Sequence, residues 1–353
     1  MPGARIHFDS GKLGELADHF LPDGLTVQEL IDELEKFLWA NGITREEYLD
    51  QMIDRRGMGK PLYRKEREQV WIAAESIATE LRSTKSYTKN LAALDMANRP
   101  DLSQGSMDYI FLDEAQDLST SVLKALRSYA KISMILAGDS DQAIYQSGFS
   151  FRRAGVEIGG RSRILKTNFR NTLPIHRLAE TFRSYSRGKD IDLEPEAFRD
   201  GPEPELFLAD KWQGLVDILM KRIRLFTYTL GYSLENLCIL VPNKKILGAL
   251  RNRLSTEGFE NSSLLETNFS FTSEGSIRLS TLHSAKGLDF PVVLVYVPEA
   301  PYFGTGYDPT MVDTLTRNLI YVALTRAMEH LNVFVLEDSG VEVFEELKGV
   351  FRG

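Results

Sequence analysis

Hydrophobic positions recur at helical spacing through the first hundred residues. Val27, Leu30, Ile31, Leu34, Phe37 and Leu38 share one face, and Thr26 is placed to cap that helix. Ile72, Ala73, Ile77 and Leu81 repeat the pattern over residues 70–81. From Asp108 the pattern changes. Residues 109–112, Tyr-Ile-Phe-Leu, and residues 134–137 are short apolar runs that read as buried strands. Val122, Leu123, Leu126 and Tyr129 form a helix face between them, and strand–helix–strand order predicts a parallel α/β sheet. Ile164-Leu165 starts another unit. Its helix has Thr172 as N-cap, Pro174 in the first turn, and Ile175, Leu178, Ala179 and Phe182 facing inward. Further strands are expected at 206–208, 237–241, 277–280, 292–297 and 333–336, and helices at 212–226 and 246–254. Pro195, Pro202 and Pro204 mark an acidic surface connection.

Composition narrows the class. The 353 residues suffice for two or more domains, and 43% hydrophobic with 26% charged residues is ordinary for a soluble globular chain. No apolar run approaches the roughly 20 residues that span a bilayer, so no membrane partner is expected. The first ten residues lack an apolar signal core, which argues against secretion. Cys238 is the one cysteine. That excludes an intrachain disulfide and a cysteine zinc cluster, and fits a reducing cytoplasm. Net charge is −8, so any nucleic acid must be held by a local basic groove rather than by a basic body.

The apolar run at 109–112 ends in Asp113-Glu114. At the C-terminal end of a parallel strand, one carboxylate can hold Mg²⁺ and its neighbour can orient or deprotonate a water. The next strand is followed by Gly138-Asp139-Ser140-Asp141-Gln142-Ala143-Ile144-Tyr145, which places polar groups in the same crevice. The Gln142 amide can bridge a phosphate oxygen and a water, and Tyr145 can offer a flat face to a base. Arg170, within Lys166-Thr167-Asn168-Phe169-Arg170-Asn171, is suited to pair bidentately with phosphate, and Arg326 is a second such arginine. The basic stretch at 55–65, with Tyr63 inside it, is either a nucleic-acid contact or a solvated loop.

In order, these motifs resemble the UvrD/Rep-type superfamily 1 DNA helicases. DEAQD at 113–117 is similar to their motif II, GDSDQAIY at 138–145 to motif III and LKTNFRN at 165–171 to motif IV. TLHSAKGLDF at 281–290 is similar to motif V, and YVALTRA at 321–327 to motif VI. The resemblance implies RecA-like motor domains that hydrolyse ATP with Mg²⁺ and move 3′ to 5′ along single-stranded or partially duplex DNA. Carried over, Asp113 would hold Mg²⁺, Glu114 would activate water and Gln142 would sense the γ-phosphate. Arg170 and Arg326 would stabilise charge on the transferred phosphoryl. Asp289 would lie near the nucleotide sugar, where the family more often has Glu. Tyr145 and His283 would touch DNA or couple it to the ATP site, with Thr281 and Lys286 along the DNA path; His283 and Lys286 can equally be structural, holding a strand-to-helix turn.

Three departures shape the expectation. No G-x-x-x-x-G-K-[ST] loop occurs, since Gly11-Lys12 runs into Leu13 and Gly59-Lys60 into Pro61, so ATP affinity is expected to be weak or absent. The strand feeding that loop would lie beside the one ending in Asp113. Arg5–Phe8 or another local segment fills the gap, or a second chain does, or the domain is remodelled; a chain separated from its N-terminal part would look the same. Only about a hundred residues separate Arg170 from Ser280, which leaves no room for a large extra helical domain. After Tyr145 the usual aromatic is replaced by Gln146, so Phe149 or Phe151 would substitute in stacking. The expected layout is a helical region at 1–105, a partial first RecA-like domain at 106–163 and a second at 164–353. The expected function is a helicase polypeptide dependent on a segment supplied elsewhere, from its own missing N-terminal part or from a protein partner. The alternative is a non-catalytic helicase-like subunit that binds DNA or a protein.

Overall fold

A computed structural model of the chain describes residues 10–51, 55, 58, 61–99, 106–138, 151–157, 160–163, 167–187, 196–266, 269–270, 274–303 and 309–352. The chain forms two compact units, Met1–Arg163 with Gly304–Met311, and Ile164–Phe303 with Val312–Gly353. Arg5–Phe8, one candidate for the missing strand, lies outside the described residues, as do Gln142, Tyr145 and Phe149.

The first unit opens with α1 (Ser10–His19) and α2 (Val27–Asp32). Thr26 caps α2 in a reciprocal capping box with Glu29. The chain continues through a wider π-helical turn, Glu33–Leu38, into α3 (Trp39–Asn41), then α4 (Arg45–Asp50), α5 (Arg64–Ser83) and α6 (Lys89–Ala97). Leu30, Leu34, Phe37, Val70, Ile77 and Leu91 form their shared core, as the periodicity predicts. After β1 (Met107–Leu112) comes α7 (Thr120–Tyr129), which packs on α3 and α6, and then β2 (Ala130–Leu136). Ser121 Oγ donates to the Trp39 carbonyl at 2.6 Å, and Thr120 Oγ1 to Asn41 Oδ1 at 3.1 Å.

The strands β1 and β2 pair in parallel, as expected, but they are not buried. Their sheet has two strands among the described residues. The register sets Phe111 beside Ile135, and Tyr109 beside Ser133, on one face. On that face Phe111 is 72% exposed, and Tyr109 and Ile135 are about half exposed. Parallel sheets are normally covered on both faces, because their crossover helices lie there. Here, among the described residues, Ile110 of the opposite face is buried while Phe111, Tyr109 and Ile135 are not.

The second unit begins with β3 (Thr167–Thr172), α8 (Leu173–Arg187) and β4 (Glu196–Arg199), the two strands pairing in parallel. Then follow β5 (Glu205–Ala209), α9 (Trp212–Arg224), β6 (Leu237–Val241), α10 (Lys244–Thr256), β7 (Asn261–Ser263), β8 (Ile277–Thr281), β9 (Phe290–Val297), α11 (Pro309–Leu324), β10 (Ala327–Leu336) and α12 (Glu342–Arg352). Six strands form one parallel sheet in the order β5-β10-β9-β6-β8-β7. Leu237, Ile239 and Leu294 pack against Leu219 of α9 and Leu250 of α10. Cys238, Leu240, Val293 and Val295 alternate to the other face and are equally buried. Burial on both faces is why these strands read as continuous apolar runs, and why burial pushes the Cys238 thiol well above its ordinary value. The fold class is the expected one, α/β with parallel sheets. Among the described residues no helix is long and apolar enough to cross a membrane.

Candidate functional site

In the first unit the site is a turn at the end of β1. Leu112 passes directly into Asp113 and Glu114. Glu114 adopts a left-handed conformation, φ 51° and ψ 42°, which is rare and costly for a residue with a Cβ. Its surroundings hold it there. Its amide donates to Asp113 Oδ1 at 2.9 Å, and its carbonyl accepts from Asp117 N–H at 2.9 Å. The turn is pinned to β2 by Ala115 N–H to the Ala137 carbonyl, and by Ala137 N–H to the Leu112 carbonyl. The Glu114 carboxylate accepts from the Gln116 side-chain amide, and Gln116 is itself buried.

Gly138 completes the arrangement. A Cβ there would lie 2.3 Å from Gln116 Oε1. Gly138→Ala must therefore swing the amide away and release Glu114. The glycine and the amide then act on the same Glu114 contact. The losses in Gly138→Ala, Gln116→Ala and the double variant should be non-additive by about 0.5–3 kcal/mol in urea melts. Additive losses would mean the glycine serves another purpose. Neither residue stood out in the sequence; the signal was an amide two positions after the acid, with a glycine directly after the next strand.

Asp113 is exposed at its strand end, and a single carboxylate completed by phosphate and water is a usual Mg²⁺ arrangement. Among the described residues no three or more His, Cys, Asp or Glu side chains form a metal cluster. The donor set thus fits Mg²⁺ at Asp113 shared with a phosphate. It does not fit a cradle for the β- and γ-phosphates, because the sequence has no glycine-rich loop with Lys-Ser/Thr.

The second unit gathers three candidates. Asp289 immediately precedes β9 and Arg326 immediately precedes β10, and the first residues of these strands, Phe290 and Ala327, pair in register. Both side chains therefore sit at the N-terminal ends of neighbouring strands. Arg170, on β3, joins them: its Nε lies 2.9 Å from Asp289 Oδ2. Arg326 Nη1 lies 3.6 Å from Asp289 Oδ1.

The two arginines differ in freedom. The Arg170 side chain is 47% exposed. Arg326 is 1% exposed and donates to the Val322 carbonyl at 3.0 Å, the Leu288 carbonyl at 3.4 Å and Thr325 Oγ1 at 3.2 Å. Asn171 ties their segments together. Its buried side-chain amide donates to the Thr325 and Ala327 carbonyls at 2.9 and 2.5 Å. Asn168 Oδ1 accepts from the Arg170 and Asn171 amides, fixing the backbone from which Arg170 projects. Neither asparagine carries a signal of its own in the sequence beside the more conspicuous arginine.

Of the nucleic-acid candidates, Thr281 and His283 lie at the opposite end of this sheet. Thr281 is the last residue of β8, level with Val241 at the end of β6. It is buried, and its hydroxyl donates to Ser284 Oγ at 3.1 Å. The His283 ring meets Phe303 edge-on, and burial lowers its pKa, which keeps the imidazole neutral near pH 7. Lys286 is half-buried in the connection that follows. That connection, residues 282–289, runs from the C-terminal end of β8 back to the N-terminal end of β9, about 20 Å by strand rise. It physically joins the His283 end to the Asp289 end. Lys244 and Lys245, exposed at the start of α10, add positive charge at the His283 end.

The basic stretch at 55–65 is partly accounted for. Arg55, itself partly buried, pairs with the buried Glu33 at 2.5 Å, and Arg64 pairs with Asp50 at 2.8 Å. Tyr63 and Lys65 remain exposed, and residues 56, 57, 59 and 60 lie outside the described set.

Comparison with known proteins follows the same division. Residues 74–160 match the UvrD/REP helicase N-terminal domain family, and residues 276–334 match the UvrD-like helicase C-terminal domain family. No curated protein matches the sequence. Among solved structures, the C-terminal domain of a possible DNA helicase from Lactobacillus plantarum WCFS1 is similar at 16% identity and TM-score 0.38, over 51% of this chain and 94% of that one. The PRRSV helicase is similar at 16% identity and TM-score 0.34, over 67% of this chain and 36% of that one. Arterivirus nonstructural protein 10, a helicase solved with DNA, is similar at 15% identity and TM-score 0.35, over 70% and 44%. The chain spans less than half the length of these two viral helicases. One UvrD-like helicase family thus matches across Asp113 and Glu114, and the other across Asp289 and Arg326; in these two segments the chain is similar to UvrD-like helicases.

Proposed function

We propose that this chain is the polypeptide of a UvrD/Rep-like ATP-dependent helicase that moves 3′ to 5′ along single-stranded DNA. We propose further that it requires a phosphate-binding segment from beyond these 353 residues. The observation that carries this is the Glu114 turn. A strained, left-handed glutamate at a strand end, held through a buried amide over a glycine, is costly to maintain without chemical use. In this assignment Asp113 holds Mg²⁺, which supplies charge neutralisation to the phosphates when bound. Glu114 orients the attacking water. Gln142 senses the γ-phosphate, although it lies outside the described residues.

Arg170 is the exposed phosphate contact. Arg326 reaches a phosphate only by giving up its carbonyl partners, so its first duty is to hold the strand ends. Asp289 lies toward the nucleotide. Thr281, His283 and Lys286, with Tyr145, serve the DNA side, and residues 282–289 carry displacement between the two ends. The three-part layout, with boundaries near 105 and 163, belongs to this proposal, as does a cytoplasmic site of action. The open face of Tyr109, Phe111 and Ile135 is where the completing segment or protein partner would add cover.

The same uncovered face favours the rival reading, a helicase-like subunit that binds DNA or protein and no longer turns over ATP. ATP hydrolysis by the purified chain, with and without single-stranded DNA and beside Glu114→Gln, separates them. The proposal expects at most weak turnover alone, and DNA-stimulated turnover abolished by Glu114→Gln once a phosphate-loop segment is added. DNA binding with no turnover under any such addition would leave the rival standing.

A further inference from the structure

Asp289 sits between two guanidinium groups and uses them unequally. Oδ2 is 2.9 Å from Arg170 Nε. Oδ1 is 3.6 Å from Arg326 Nη1 and, although buried, has no hydrogen-bond partner. Arg326 is fixed by three protein acceptors. Asp289 cannot move far, because its backbone enters β9 at the next residue, and Phe290 N–H donates to the Arg326 carbonyl at 3.0 Å. Arg170 has a fixed backbone and a half-exposed side chain, so it is the one member of the trio able to change partner. A guanidinium pairs with a carboxylate and with a phosphate through the same planar fork.

We infer that Asp289 is a stand-in anion: a positioning residue that keeps Arg170 placed and neutralised while no phosphate is bound, and yields it to a polyphosphate. This rests on the assignment of Arg170 to phosphate. It adds that Asp289 sets the affinity of the second unit for anions. Any phosphate taken by Arg170 must arrive beside the Asp289 charge, and like charges a few ångströms apart at a protein surface repel strongly enough to cost on the order of tenfold in binding.

The test is pyrophosphate binding to the full chain by calorimetry at low ionic strength. Asp289→Asn keeps the side chain's shape and removes its charge. It should bind pyrophosphate on the order of tenfold more tightly than the parent. Adding Arg170→Ala should abolish the gain. Unchanged or weaker binding by folded Asp289→Asn, or a gain that survives Arg170→Ala, overturns the inference. Should Asp289→Asn not fold, the parent protein decides. The Arg170 Nε–H resonance, identified by its loss in Arg170→Ala, must shift as pyrophosphate is titrated, and a resonance that stays put through 10 mM (about a thousandfold the protein) overturns it. The outcome is independent of turnover. A tighter Asp289→Asn variant in a chain that never hydrolyses ATP would sink the helicase proposal alone, and Glu114-dependent hydrolysis with no anion gain would sink this inference alone.

Discussion

Alanine at Arg170 and alanine at Arg326 should fail in opposite ways. Arg170→Ala is expected to leave the fold intact, since the side chain is half-exposed and its ion pair is with a carboxylate that keeps Arg326. A cationic group that meets phosphoryl charge in such motors is worth about 10³–10⁵ in rate. Turnover in the completed system should fall by that order, with the urea midpoint unchanged to within about 0.5 kcal/mol. Arg326→Ala should instead cost the second unit about 3–5 kcal/mol. It removes a fully buried guanidinium, leaves the Val322 and Leu288 carbonyls without that donor, and takes one of two cations from Asp289. Paired urea melts and turnover assays of the two variants check this. Equal losses of stability would show that Arg170 is as structural as Arg326. A stable, inactive Arg326→Ala would show that the buried arginine leaves its carbonyls and acts directly.

That asymmetry was not legible in the sequence. Arg170 follows the polar Lys166-Thr167-Asn168 and Arg326 a small, apolar segment, but the burial of an arginine is decided by contacts with Leu288, Val322 and Thr325 that only the fold assembles. What was legible follows from periodicity. The strands β6 and β9 and the second half of β10 are apolar runs because both their faces are covered, and the helices around them show a single apolar stripe. The three-residue edge strand β7, Asn-Ser-Ser, carries no such signal because its side chains are polar. At β1 the same signal misled. Tyr-Ile-Phe-Leu is apolar on both faces whether or not the second face is covered, so an open sheet reads like a buried one. The order of the chemistry was readable, because Asp113, Asp289 and Thr281 each sit next to a strand end. The residues that hold it were not. Gln116, Gly138, Asn168 and Asn171 act through side-chain hydrogen bonds or a missing Cβ, and such roles have no period.

Arg55→Ala should destabilise the first unit by about 3–5 kcal/mol, the range for stripping one partner from a buried ion pair. Glu33 lies on the π-helical turn between α2 and α3, almost wholly buried. Arg55 meets it with Nε and Nη2, and the Tyr48 hydroxyl donates to Glu33 Oε1 at 2.7 Å. Burial and the Glu33 charge push the Tyr48 hydroxyl above its ordinary pKa, so it stays a donor throughout the physiological range. With Arg55 gone, Glu33 keeps an uncompensated charge in the core. A neutral companion supplies the control. Glu33→Gln with Arg55→Met removes both charges and should recover most of the stability, since a buried pair is often replaceable by neutral groups of similar volume. Arg64→Ala, in the same basic stretch but exposed and paired with Asp50, should change stability by less than about 1 kcal/mol. Thermal melts of the three variants, read beside DNA binding, decide what the stretch is for. If Arg55→Ala is as stable as the parent but binds DNA less well, the arginine belongs to a nucleic-acid contact. If binding falls only in step with folding, it is a staple of the helical core, and the contact, if any, rests with Tyr63 and Lys65.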